Sequence, residues 1–126
     1  MTSSKIIKLG DYHKGYKPLD QFTFHHILSE APGTSVILFW KKSCSSCAYW
    51  RKLLLEFQQQ NRNIRLFDVD VELDPGLAEE HEIFHLPAIY VYRDGDYYGE
   101  VQCEAHLGNL QECLNRALSQ PPQEMP

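Results

Sequence analysis

The sequence predicts an α/β fold: a central mixed five-stranded sheet with helices on both faces, in the order βαβαβαββα. Three observations carry that prediction. Residues 35–40 read as a strand, apolar without a break from Val36 to Trp40, as expected of a strand covered on both faces. Residues 48–60 and 107–118 repeat apolar side chains at helical spacing. Asp94-Gly95 joins two β-rich runs and is a strong hairpin turn. Helix-linked strands give parallel neighbours, and the hairpin adds an antiparallel one.

Taken in order, residues 5–9 are short, apolar and end at Gly10, which reads as the first strand. Residues 10–18 read as a loop from their Gly, Asp and Pro content. Asp20 is placed as the cap of a helix running to about residue 30, with Phe22, Phe24, Ile27 and Leu28 on its apolar side. Ala31-Pro32-Gly33 stops it. After the apolar strand, Cys47, Trp50, Leu53, Leu54 and Phe57 share the broad inner face of the next helix. Residues 64–71 alternate and predict a third strand with one polar edge set by Asp68 and Asp70. Asp74 caps and Pro75 opens a short helix to His81. Residues 88–92 and 97–102 are the two arms of the hairpin. Leu107, Leu110, Leu114, Ala117 and Leu118 face inward on the last helix. The expected division is one domain over residues 1–119 and a flexible tail over residues 120–126.

Composition narrows the function classes. The 126 residues suit a single domain, with 43% hydrophobic and 23% charged residues. A net charge of −5 argues against a nucleic-acid footprint. No apolar run reaches the length of about 18 residues that spans a bilayer. The first residues lack the apolar core of a secretion signal, so a reducing cytoplasmic setting is the expectation. In that setting the four cysteines are not expected to be structural bridges.

The chemistry is predicted where strand hands over to helix, at Phe39-Trp40-Lys41-Lys42-Ser43-Cys44-Ser45-Ser46-Cys47. A sulfur at a helix start meets unpaired N–H groups and the positive end of the helix dipole, which favour the thiolate. Residues i and i+3 lie on one side of a helix, so the two sulfurs can meet. That suits a disulfide that forms and breaks. Lys41 and Lys42 read as a solvated loop rather than as a field on Cys44. Cys103 could be a third redox thiol, or with His106 and Cys44-x2-Cys47 supply zinc-ligand types, but a plain, partly exposed thiol is the preferred reading. Cys113 falls on the apolar face of the last helix as a small core residue. None of the six histidines has catalytic spacing, and His25-His26 reads as a surface and half-buried pair.

At this point the chain resembles the thioredoxin family over nearly its whole length. The resemblance rests on Phe39-Trp40 ahead of Cys-x-x-Cys, on Asp74-Pro75-Gly76-Leu77-Ala78, on Leu86-Pro87-Ala88, and on the hairpin Tyr90-Val91-Tyr92-Arg93-Asp94-Gly95-Asp96. Residues 5–9 resemble the family's first strand. The resemblance implies a thioredoxin fold and a thiol–disulfide oxidoreductase. Cys44 would be the attacking thiol and Cys47 the resolving one. Pro87 would be a cis-proline, with Trp40, Ser45, Ser46, Leu86 and Pro87 around the substrate. Expected partners are protein disulfides and a reductase or small-thiol donor, with no metal or organic cofactor, no membrane or nucleic acid, and a monomeric chain. The alternative is a thioredoxin-like binding or assembly module with little turnover. Several positions depart from the family pattern. Leu38 stands where the family has a buried aspartate, and Asp68 where it has the accompanying lysine. Ser43 precedes the first cysteine, Ser45-Ser46 separates the pair, and Lys52 replaces a helix-kinking proline.

Overall fold

The computed structural model describes residues 14–124. Nine elements follow in the order strand β1 (Tyr16–Pro18), helix α1 (Phe24–Glu30), β2 (Thr34–Trp40), α2 (Ser45–Gln60), β3 (Ile64–Asp70), α3 (Pro75–Glu80), β4 (Ala88–Arg93), β5 (Asp96–Glu100) and α4 (Leu107–Leu118). The strands form one five-stranded sheet in the order β1-β3-β2-β4-β5. β1, β3 and β2 run parallel, and β4 and β5 run antiparallel to their neighbours. This is the mixed sheet and element order that the patterning predicts.

Strand alternation divides the core in two. Val36 and Leu38 of β2 pack with Trp50, Leu54 and Phe57 of α2 and Leu110 and Leu114 of α4. Ile37 and Phe39 face the opposite way, toward Phe24 and Leu28 of α1 and Leu77 of α3. Successive strand residues point to opposite faces, so a continuously apolar β2 fits a strand covered by helices on both sides.

Several boundaries differ from expectation for identifiable reasons. The strand expected at residues 5–9 lies outside the described residues. Tyr16–Pro18, expected as loop, pairs with β3 in the register Tyr16↔Leu66, Lys17↔Phe67, Pro18↔Asp68. An edge strand has one side free of ladder bonds, so Pro18 is tolerated there. α1 begins later than expected: the Asp20 carboxylate accepts from the N–H groups of Phe22 and Thr23 at 2.9 and 3.0 Å, a local turn that delays the helix. Phe22 is consequently 83% exposed rather than packed. Asp74 accepts from Gln21 N–H at 3.2 Å and does not cap α3 through its side chain. Pro75 does sit in the first turn.

β3 has no polar edge. It is the second strand from the edge, buried from Ile64 to Val69, and it buries Arg65 and Asp68. Each has a partner, as buried charge requires: Arg65 donates to the Pro32 carbonyl and Asp68 pairs with Arg51. The hairpin is tied back to the α1–β2 turn by Asp94, whose carboxylate accepts from Gly33 N–H at 2.7 Å. Gly95 has φ +86°, and a Cβ there would lie 2.6 Å from the Ser29 carbonyl oxygen, so glycine is required on both counts. Beyond α4 the chain lies along the edge of β5, with Gln123 N–H donating to the Tyr97 carbonyl at 2.7 Å. Gln123, within the segment expected as a tail, makes this sheet-edge contact.

Candidate functional site

β2 ends at Trp40, whose carbonyl accepts from Val71 N–H at 3.0 Å. A turn closed by Cys44 N–H and the Lys41 carbonyl, 3.2 Å, redirects the chain into α2. Cys44 is the N-cap of that helix, and its Sγ accepts from Cys47 N–H at 3.1 Å. The sulfur thus takes the place of the capping oxygen of Ser, Thr or Asp. Ser46 Oγ stands 3.4 Å from the same sulfur. Cys44 and Cys47 are joined as a disulfide with a Cα–Cα distance of 5.2 Å. Cys44 is partly exposed and Cys47 is fully buried, which separates a reachable sulfur from a protected one.

A groove of about 580 Å³ opens in front of Cys44. Ser45, Ser46 and Leu86 line it, as expected of substrate-facing positions. The Leu86–Pro87 peptide bond is cis and leads directly into β4. Lys41, read from the sequence as solvated loop, lines it too, and patterning did not mark Val71, Ala78, Ile83 or Phe84 as site residues. Phe84 lies in a loop, where no periodicity signals that a side chain will stand at a site.

Trp40 is not among the groove's lining residues. Its ring covers the Arg51 guanidinium, with the Arg51 Cζ 4.3 Å from the ring centroid. Tyr16 covers the other side at 4.3 Å and donates its hydroxyl to the Arg51 carbonyl at 2.8 Å. Burial pushes the Tyr16 phenol well above its ordinary range, so it stays a neutral donor. Arg51 pairs with Asp68, and Asp68 is the register partner of Leu38 across β2 and β3. A carboxylate therefore does stand in this layer, carried by β3 and held by a cation from α2. Arg51 lies four residues, about one turn, beyond Cys47. That spacing was the available sequence signal for it.

The other two cysteines correct the sequence reading. Cys113 lies in the core as expected, but it is not a free thiol: it is disulfide-bonded to Cys103, expected as a partly exposed thiol, with a Cα–Cα distance of 6.0 Å. Among the described residues no group of three or more His, Cys, Asp or Glu converges as a metal site. His25 and His26 are both exposed, with side chains 51% and 71% accessible. Among the described residues the buried histidine is His81: its Nδ1 lies 2.8 Å from the Leu77 carbonyl and its ring packs against Phe24 at 4.8 Å. Burial lowers its pKa, so it is held neutral.

A helix-capping cysteine disulfide-bonded to a buried cysteine one turn on, at the end of a central strand of this sheet, defines the thioredoxin-type class of thiol–disulfide proteins. The thioredoxin family profile matches residues 15–116, and the chain belongs to the thioredoxin family. It is 25% identical over 87 residues to a thioredoxin of Staphylococcus epidermidis, covering 68% of this chain and 84% of that one. It is 24% identical over 103 residues to a thioredoxin of Acetoanaerobium sticklandii, covering 78% and 95%. The oxidised form of mitochondrial thioredoxin 3 from Saccharomyces cerevisiae superposes with a TM-score of 0.69 at 23% identity, over 80% of this chain and 94% of that one, a likeness of fold. Family and Cys44–Cys47 pair together support thiol–disulfide oxidoreduction at the level of class.

Proposed function

We propose that the protein reduces disulfides of protein substrates through a mixed disulfide on Cys44. The observation that carries this reading is the division of the pair: Cys44 Sγ, partly exposed, caps α2, and Cys47 is buried behind it. In the reduced state the helix N-terminus favours a thiolate on Cys44. That thiolate attacks one sulfur of a substrate disulfide, and the other substrate sulfur leaves as a thiolate. Cys47, deprotonated, then attacks Cys44 Sγ and expels the second substrate thiolate. Two electrons pass to the substrate, and the Cys44–Cys47 disulfide remains. An external reductase or small thiol restores the dithiol, as for thioredoxins generally.

In this reading Ser45, Ser46 and Leu86 lie along an extended substrate segment, with Leu86 offering backbone for strand-like pairing and Pro87 fixing that loop. Trp40 contributes from behind, by packing its ring on the guanidinium of Arg51, a residue of the active-site helix. A reducing compartment would supply the electron donor, which is the sense of the cytoplasmic expectation. The Cys103–Cys113 disulfide weighs the other way, because such bonds persist in oxidising compartments. Leu38 favours the second reading, a binding module, since the site lacks a carboxylate at that position. Insulin reduction with a dithiol reductant discriminates. Activity lost in Cys44→Ser supports the enzyme; equal rates in both proteins leave only the module.

A further inference from the structure

The groove in front of Cys44 is lined by apolar side chains and by a lysine. Beside Leu86 stands Phe84, 90% exposed, with Ile83 next to it and Val71 and Ala78 also lining the groove. A phenylalanine this open has no apolar partner over most of its surface. Lys41, from the turn that follows β2, is the lysine among the lining residues. The chain carries a net charge of −5, yet among the described residues no Asp or Glu lines this groove. His85, also at the groove, lies 3.3 Å from Glu100 through its Nε2, so its ring is already engaged. Among the described residues no ion pair involves Lys41.

We infer that Phe84 and Lys41 select the substrate: an extended segment whose disulfide cysteine is flanked by a large apolar residue and by an acidic one. This rests on the oxidoreductase reading and adds the substrate's chemistry to it. The apolar residue covers Phe84 and removes both surfaces from water. The acidic residue meets Lys41, and the one carboxylate held against a lining side chain, Glu100, is engaged with His85. A cysteine segment rich in Lys or Arg finds no partner there.

The test uses short peptides whose cysteine is linked to nitrothiobenzoate, with Leu or Ser on one side and Glu or Lys on the other. Reduced, desalted protein is mixed with each peptide, and the coloured thiolate is followed. Cys44 attacks the peptide sulfur and nitrothiobenzoate leaves with the electron pair. Cys47 then expels the peptide thiolate, leaving the Cys44–Cys47 disulfide. The rate in Cys44→Ser is subtracted, which removes any contribution of Cys103 and Cys113.

Leu peptides should react about tenfold faster than Ser peptides, from the apolar area covered. Glu peptides should react about threefold faster than Lys peptides, as for a partly exposed ion pair. Phe84→Ser should level the Leu and Ser peptides and keep the charge preference. Lys41→Glu should reverse the charge preference and keep the apolar one. Wild-type protein that treats all four peptides alike, or ratios unmoved by both substitutions, overturns the selectivity and leaves the oxidoreductase standing. No Cys44-dependent release from any peptide overturns the oxidoreductase reading and the selectivity with it.

Discussion

Two disulfides lie on the same face of one sheet, and they differ in almost everything except the bond. Cys44–Cys47 spans three residues at the open end of α2. Its outer sulfur caps a helix and borders a groove. Cys103–Cys113 spans ten residues and fastens the loop after β5 to the middle of α4. Cys113 is only 8% exposed and belongs to the core cluster, and Cys103 packs against that cluster. Neither caps a helix: His106 is the cap residue of α4, Cys113 lies within that helix, and Cys103 Sγ lies 3.8 Å from the Asn109 carbonyl. The comparison teaches that surroundings, rather than the presence of a disulfide, separate a bond suited to exchange from one suited to holding the fold.

The largest expected effect breaks the comparison on its reactive side. Cys44→Ser should bring insulin reduction down to the uncatalysed rate. Cys47→Ser should keep the first attack and accumulate mixed disulfides, visible as added mass on the intact protein. The matching change on the other side is Cys103→Ala with Cys113→Ala. Removing a cross-link over ten residues should cost about 3 kcal/mol of unfolding free energy in denaturant titration. Insulin reduction should be unchanged. A loss of turnover equal to that of Cys44→Ser would mean the second pair takes part in exchange.

A smaller effect sharpens what supports the reactive pair. Asp68→Asn leaves the Arg51 guanidinium between two rings without its carboxylate, and should cost about 2 kcal/mol, moderated because Arg51 is one-third exposed. Replacing both, as Arg51→Met with Asp68→Leu, should recover part of that loss, because neither charge is then stranded. Recovery is read in the same denaturant titration.

The smallest effect comes from the far face of the sheet and should touch neither disulfide. His81 is buried and its pKa lies below the ordinary value of 6.5. The unfolded chain therefore takes up a proton before the folded one does. Stability from this group is complete above about pH 6.5 and falls as the pH drops below it. His81→Gln should flatten that part of the stability curve and leave the pH profile of insulin reduction as in the wild type. A changed activity profile would show that the far face does reach the site.

Much of this was legible in the sequence because it is local. The apolar run of β2, the helical spacing of α2 and α4, and the Asp94-Gly95 turn each report their own backbone. Placing two cysteines at a strand-to-helix junction needed nothing more. What was illegible depends on distant partners. Cys103 and Cys113 show no pairing in sequence, because a bend in the loop and the docking of α4 bring them together. Asp68 reads as polar edge until Arg51 arrives from another element. Pro18 reads as loop until β3 supplies a neighbour. Phe84 carries no periodic signal, and its position follows from how residues 81–87 return to the sheet.

The most direct measurement of the central claim is graded reduction of the fully oxidised protein with dithiothreitol, followed by alkylation and peptide mass spectrometry. Cys44 and Cys47 should acquire label first, with Cys103 and Cys113 following only at higher reductant. Label appearing first on Cys103 and Cys113, or on all four together, would contradict the account.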